Sequence, residues 1–173
     1  MNTNASSHDN LFCYGQIRAA HASGSLALQG KLHIKEFVRH DILTTLKDAL
    51  LSDRETLTTN PNTSKQTSLS SPSRQCLWEL HSGIMLRLLE NITGTRNLLP
   101  DTHCKQSRLL QRGDPVISNM QDTDAGLQAS LVLLIMLNTG AAIIANASNS
   151  TADIATDANT LKIVYWTIPD EAT

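Results

Sequence analysis

Residues 127–147 read LQASLVLLIMLNTGAAIIANA, and this stretch decides the fold class of the whole chain. It lies within a longer segment, 125–152, that contains no charged residue. Its centre, 131–137, is apolar on every side, so periodicity alone does not separate a buried helix, a membrane span and a buried strand. In the strand interpretation, the chain turns at Asn138-Thr139-Gly140 and returns through Ile143-Ile144.

We predict that 125–147 is a buried central helix. Aromatic residues make up only 3% of the chain, and amphipathic helices then need an apolar element on which to pack. Asn138, Thr139 and Gly140 lie in the middle of the stretch, where polar groups are costly in lipid. Neither an aromatic belt nor Lys or Arg flanks it. A single membrane span at 127–147, which is long enough to cross a bilayer, remains the alternative.

Two further segments show the helical period. Five apolar residues recur at four-residue steps and predict a helix over 36–51: Ile34, Val38, Ile42, Leu46 and Leu50. A wide apolar face predicts a helix over 74–93: Leu77, Leu80, His81, Ile84, Met85, Leu88, Leu89 and Ile92. Ser73 and Gly94 are suitable caps for this second helix. A short helix over 102–112 completes four helical segments and a mainly α fold.

Strand signals are fewer. The stretch LKIVYWTI at 161–168 is rich in β-branched and aromatic residues and predicts a terminal strand that ends before Pro169. The stretch Ser25–Lys35 alternates apolar and polar residues around Gln29-Gly30, as in a hairpin. If that hairpin forms, the class becomes α+β, with a small antiparallel sheet from 25–35 and 161–168.

One polar stretch interrupts the chain. Ser and Thr provide 11 of the 22 residues of 52–73, which also contains Asn60-Pro61 and Ser71-Pro72. Such a composition has little to bury, so we predict a mobile loop. The part before it holds only one strong helix, too little for a core of its own. We therefore expect a single domain over 1–173.

Charge limits the function classes. The net charge is −2, whereas nonspecific nucleic-acid binding requires a strongly basic face. The distribution is uneven: residues 1–112 have 13 Lys and Arg against 9 Asp and Glu, and 113–173 have one against seven. Ordinary solvation of the surface explains this asymmetry, and the alternatives are that two copies align head to tail or that an acidic end meets a partner. We expect no nucleic-acid partner.

Cysteine usage and the N-terminus suggest a compartment. Cys13, Cys76 and Cys104 are widely spaced and odd in number, which is not a disulfide framework. Met1–Asn10 is polar and lacks the basic-then-apolar progression of a signal peptide. We therefore expect a cytoplasmic protein.

Signatures of catalysis and cofactor binding are absent from the sequence: it has no P-loop, GxSxG, HExxH, GxGxxG or paired CxxC motif. His33, Glu36 and His40 would form a metal trio only if the 36–51 helix reached back to His33, and a solvated polar stripe explains them as well. Cys76, His81, His103 and Cys104 match no common zinc spacing. We predict no catalytic residue, no metal ligand and no cofactor.

The sequence therefore predicts a soluble, nonenzymatic interaction protein, that is, an adaptor, a regulator or an assembly subunit. Its partner is another protein or a second copy of the chain. Two alternatives remain: a membrane-anchored protein with one span at 127–147, and an enzyme whose site is assembled from residues distant in sequence.

Overall fold

The computed structural model describes residues 10–21, 31–53, 71–101, 107–110, 121–122, 126–146 and 159–168. These stretches contain four α-helices: α1 (Tyr14–His21), α2 (Leu43–Ser52), α3 (Ser71–Leu80) and α4 (Gly83–Thr93). A short 3-10 helix, His40–Ile42, leads directly into α2.

A single antiparallel sheet contains all the strands of the described stretches. They are β1 (Lys31–Ile34), β2 (Leu99–Pro100), β3 (Arg108–Leu110), β4 (Gln121–Asp122), β5 (Leu127–Met136), β6 (Ala142–Asn146) and β7 (Thr160–Thr167). The order along the main path is β1-β6-β5-β7-β2. Two short strands join from the side, β3 on β7 and β4 on β5.

The uncharged stretch forms the centre of this sheet. β5 and β6 are a hairpin, paired from Leu131 with Asn146 to Ile135 with Ala142. The chain reverses at 137–139, and Gly140 follows with a φ of 84°. The Gly140 carbonyl accepts hydrogen bonds from the backbone N–H groups of Phe37 and Val38, at 2.9 and 3.0 Å.

The predicted helix over 125–147 is therefore wrong, and the strand interpretation with a turn at Asn138-Thr139-Gly140 is correct. β5 pairs with β6 on one side and β7 on the other, and both faces of its central residues are buried. A strand buried on both faces is apolar at every position, which is why it has no period of two. Among the described residues, no helix is long and apolar enough to cross a membrane.

One face of the sheet packs against the helices. It contributes alternate residues, such as Leu131, Leu133 and Ile135 of β5, to the larger apolar cluster of the core. The helices contribute Ile17, Leu46, Leu50, Cys76, Leu80, Met85, Leu88, Leu89 and Ile92 to the same cluster. Within this core the Tyr165 hydroxyl of β7 donates a hydrogen bond to the carbonyl of Leu80, the last residue of α3, at 2.7 Å.

The opposite face of the sheet is also buried. Its apolar members form a second, smaller cluster: Leu110, Ala129, Val132, Leu134, Ile143, Ala145, Val164 and Trp166. Lys162 of β7 is fully buried as well. The β5 residues of the two faces alternate from Leu131 onwards, after an irregularity in the β5–β7 register between Ala129 and Leu131.

The prediction of a mainly α fold is wrong, and the α+β alternative is closer. The strand at 161–168 is confirmed as β7. In the predicted 102–112 helix, the described residues 108–110 form β3 instead, since β7 offers them a pairing edge. The sheet is larger than the alternative assumed, because β6 and β5 lie between β1 and β7.

Two predicted helices have different limits. The 36–51 helix begins later, at His40, since Phe37 and Val38 donate their N–H groups to the β5–β6 turn. The 74–93 helix is two helices, because the Ser82 hydroxyl accepts the Met85 N–H at 3.2 Å and starts a new one.

Two predictions fall partly outside the described residues. Within the predicted 25–35 hairpin, residues 31–34 form β1, which pairs with β6 rather than with a local partner. Within the predicted 52–73 loop, Ser52 ends α2 and Ser71 begins α3. Residues 54–70 lie outside the described part, and the mobile loop and the single domain stay predictions.

Candidate functional site

A gap in the edge of the sheet holds a cluster of buried polar side chains. β2 pairs with Tyr165 and Trp166 of β7, and β3 pairs with residues 160–162 of the same strand. Neither of them faces Val164. The Val164 N–H instead donates to the Ser107 hydroxyl at 2.9 Å. A side chain thus replaces a backbone acceptor at the break between β2 and β3.

Asp101, directly after β2, joins the two sides of this gap. One carboxylate oxygen accepts the Ser107 N–H at 2.9 Å, and the other accepts the Trp166 indole N–H at 3.0 Å. Asp101 is buried, so these charge-assisted bonds offset the cost of removing its carboxylate from water. We name Asp101, Ser107, Arg108, Lys162 and Trp166 the edge cluster.

Two cations face each other across β3 and β7 in the edge cluster. Arg108 and Lys162 are directly opposite in the register. Burial, with the nearby Arg108 charge, lowers the pKa of the Lys162 amine to about 8, although Asp101 acts in the opposite direction. Nε of Arg108 is buried and has no hydrogen-bond partner among the described residues. Like charges opposite each other destabilise a sheet, so this pair is a costly arrangement.

His81 lies close enough to the edge cluster to interact with its carboxylate. Burial lowers the pKa of the His81 imidazole, while the negative charge of Asp101 partly opposes the shift. Nε2 of His81 is buried and has no hydrogen-bond partner in the part of the chain that the structure describes. The imidazole therefore favours its neutral form, and protonation would place a charge in a site that does not solvate it.

The chemistry of the edge cluster is limited by access. A lysine with a pKa near 8 has a neutral, nucleophilic fraction at mildly alkaline pH. However, Lys162 is fully buried and a molecule from solvent does not reach its amine in this conformation. Asp101 and Ser107 are engaged in hydrogen bonds that complete the sheet. The cluster as it stands therefore supports the fold.

The most unusual exposed feature lies on α3 and α4. Trp78 of α3 is 72% exposed and Ile84 of α4 is 69% exposed. Arg74 and Arg87, on the same two helices, are exposed too. The two carboxylates of these helices are occupied elsewhere: Glu79 accepts the Leu11 N–H, and Glu90 the Leu98 N–H. We name Arg74, Trp78, Ile84 and Arg87 the Trp78 surface.

A cleft of about 610 Å³ opens at another place, at the end of the sheet. One wall is the connection between α4 and β2, with Thr95, Arg96, Asn97 and Leu99. The other is formed by Gln128 of β5 with Thr167 and Ile168 at the end of β7. Its volume lies in the range of small-molecule sites, which is about 300–1,000 Å³.

The residues considered from sequence as metal ligands are not brought together. His33 lies in β1, so it does not share a helical face with Glu36 and His40. Cys76 is buried in the core, where burial and Glu79 raise the pKa of its thiol. His103 and Cys104 lie outside the described residues. Within the described stretches, no group of three or more His, Cys, Asp or Glu is arranged to hold a metal ion.

Sequence reasoning missed both the edge cluster and the Trp78 surface. Lys162 could have been recognised as a candidate site residue from the sequence, since it is the single charged residue in the apolar run LKIVYWTI. Asp101 is not signalled in this way, because Pro100-Asp101 also fits the start of the predicted 102–112 helix. Trp78 was overlooked because it falls between Leu77 and Leu80, and the apolar face of the helix was assigned around it.

Comparison with known proteins gives no relative for this arrangement: no family, no curated protein and no solved structure matches the chain.

Proposed function

We propose that this chain is a nonenzymatic interaction protein that assembles with further copies of itself through the Trp78 surface. The observation that supports this most is the exposure of Trp78, 72%, in a chain with two tryptophans. The other, Trp166, is 2% exposed. We keep the cytoplasm as its expected location.

Exposed apolar side chains of this size are costly in water and valuable in an interface. Tryptophan buries about 150–250 Å² when it is covered, and Trp and Arg are the residues most enriched in binding hot spots. Trp78 and Ile84 lie on consecutive helices, with only His81 and Ser82 between the helix ends. They would supply the apolar centre of a contact, and Arg74 and Arg87 its charged rim.

Charge complementarity favours a second copy as the partner. Arg74 and Arg87 form no ion pair in the described part of the chain. Residues 113–173 carry seven Asp and Glu against one Lys. Six of these seven carboxylates lie outside the described residues, so the pairing is argued from the sequence: the arginines of the Trp78 surface would be attracted to the acidic residues of the next copy. Such a contact joins two different surfaces, so assembly continues beyond a dimer unless it closes into a ring.

Light scattering after size-exclusion chromatography tests this proposal on the full chain. We expect a mass above the monomer value of 18.9 kDa, increasing with protein concentration. Replacing Trp78 and Ile84 together by Gln should restore the monomer. Reversing the charge in Arg74→Glu and Arg87→Glu should weaken assembly at low salt and have less effect at high salt, where exposed charges are screened.

Ile168→Gln is the matched control, because Ile168 is 70% exposed but lies outside both helices. It should leave the assembled mass unchanged. A monomer at every concentration would exclude the proposed assembly. Equal loss of assembly in the control and in the Trp78 and Ile84 variant would show that the Trp78 surface is not the contact.

A further inference from the structure

We propose that the cleft at the end of the sheet binds a small organic acid, with its carboxylate on Arg96 and its apolar body on Leu99 and Ile168. This site is separate from the Trp78 surface and does not depend on the assembly proposed there.

The charge of the cleft determines the ligand class. Arg96 is the one charged residue among the described residues that line it. It is exposed and makes no ion pair within the described part of the chain. A guanidinium presents paired N–H donors that match the two oxygens of a carboxylate. A carboxylate ligand would therefore neutralise a cation that has no ionic partner among the described residues.

The apolar part of the ligand is indicated by Ile168. This residue follows β7 and is 70% exposed, although it lies on a cleft wall rather than on an open surface. Leu99, half-buried in β2, lines the opposite wall. A short alkyl chain or a single ring placed between them would remove both side chains from water, which the hydrophobic effect favours.

Both walls have fixed backbones. Gly94 ends α4 with a φ of 75° and its N–H donates to the Glu90 carbonyl. The Glu90 carboxylate accepts the Leu98 N–H at 2.9 Å, which holds the connection between α4 and β2 against the helix. On the other wall, Gln128 and Thr167 are register partners in the sheet. A site with fixed walls loses little conformational entropy on binding.

The remaining lining groups are uncharged hydrogen-bonding side chains, those of Thr95, Asn97, Gln128 and Thr167. None of them repels a carboxylate, and each can donate a hydrogen bond to a polar substituent of the ligand. Of the described lining residues, one is a cation, four are neutral and polar, and two are apolar.

Hexanoate is a suitable probe, with hexanamide and propionate as its comparisons. Titration followed by amide NMR shifts should give saturable changes at residues 95–99, Gln128 and Thr167 for hexanoate. Hexanamide, which lacks the charge, should bind about tenfold more weakly, since hydrogen bonds to an ionised group are the stronger ones. Propionate should also bind more weakly, because its apolar part is shorter.

Two variants and a control separate the contributions. Arg96→Gln should weaken hexanoate binding about tenfold and remove the preference over hexanamide. Ile168→Ser should weaken hexanoate binding more than propionate binding. Arg18→Gln, which changes an exposed arginine of α1 that is not among the described cleft residues, should leave both affinities unchanged.

Three results would overturn the proposal. They are an absence of saturable shifts at the cleft residues, equal effects of Arg96→Gln and Arg18→Gln, and equal binding of hexanoate and hexanamide. None of these depends on oligomeric state, because assembly is measured separately by light scattering with the Trp78 and Ile84 variant.

Discussion

The Glu79 carboxylate in α3 accepts the backbone N–H of Leu11 with both oxygens, at 3.1 and 2.9 Å, across 68 residues of chain. The same carboxylate accepts hydrogen bonds from the Tyr14 hydroxyl and the Gln75 amide. Glu79 is buried, so the segment before α1 is attached to α3 by a desolvated, hydrogen-bonded charge. Burial and this negative charge raise the pKa of the Tyr14 hydroxyl.

Replacing Glu79 by Ala should therefore destabilise the fold. The change leaves the Leu11 N–H without its acceptor in a buried place, and we expect a loss of about 2–5 kcal/mol in the free energy of unfolding. Urea denaturation measures it. Glu36→Ala, at an exposed position, is the control and should cost about 0.5 kcal/mol or less. Similar losses for the two variants would contradict the role assigned to Glu79.

Two glycines with positive φ, Gly94 after α4 and Gly140 at the β5–β6 turn, have different surroundings, so we expect their Ala variants to differ in stability. A Cβ on Gly140 would lie 3.3 Å from Cδ2 of Leu43, whereas a Cβ on Gly94 would meet nothing within 4 Å. Both Ala variants are strained in the backbone, at about 1 kcal/mol each. Gly140→Ala should cost about 1 kcal/mol more, because Leu43 or the turn must move. Thermal unfolding of the two variants checks this order, and equal costs would contradict it.

Because the pKa of Lys162 is lowered, we expect the wild type to become more stable with rising pH than a variant without the amine. Its pKa is lowered to about 8 in the folded state, from 10.5. Between these values the unfolded chain holds more protons, so deprotonation favours the folded state as the pH rises. From pH 7 to pH 10 the free energy of unfolding of the wild type should increase by on the order of 1–3 kcal/mol relative to that of Lys162→Met.

The comparison with Lys162→Met is needed because other groups act in the opposite direction. Burial raises the pKa of the Cys76 thiol and of the Tyr165 hydroxyl, and their ionisation in the unfolded chain reduces stability at alkaline pH. Both chains contain these groups, so the difference isolates Lys162. A difference that stays constant from pH 7 to pH 10 would mean that Lys162 titrates normally.

Because the pKa of His81 is lowered, we expect the fold to lose stability in acid. Its pKa is lowered from the usual 6.5, so the unfolded chain takes up the proton first as the pH falls below 6.5. The wild type should therefore lose more stability between pH 7.5 and pH 5.5 than His81→Leu does. Chemical denaturation at the two pH values measures this difference. The same loss in both proteins would show that His81 is protonated without cost in the fold.

Local sequence patterns predicted the helices better than the sheet. The apolar spacing around Leu46, Leu50 and Leu88 is a property of one segment, and these residues are indeed buried. The pairing of β1 with β6 joins residues more than 100 positions apart, and no local pattern encodes it. The central stretch was misassigned for a related reason: strands buried on both faces lose the alternation that identifies them.

The candidate sites were less predictable than the fold. The edge cluster brings Asp101 and Ser107 to Lys162 and Trp166 only because β2 and β3 share one neighbouring strand. The cleft depends on three separate segments in the same way. Ile84 was predicted to face the core and is exposed; it lies in the first turn of a separate helix, since the preceding one ends at Leu80 and a new one begins after Ser82.

The broken edge along β7 also affects how this protein avoids misassembly. β2 has two residues, one of them Pro100, which has no N–H to donate, and β3 has three. Amyloid-like growth requires a long, continuous row of free backbone groups on which an incoming strand can pair. In the described part of this edge, an incoming strand could pair with at most three consecutive strand residues, those of β3. A concentrated solution of the folded protein should therefore resist fibre formation from this side, even though the interior of its sheet is almost entirely apolar.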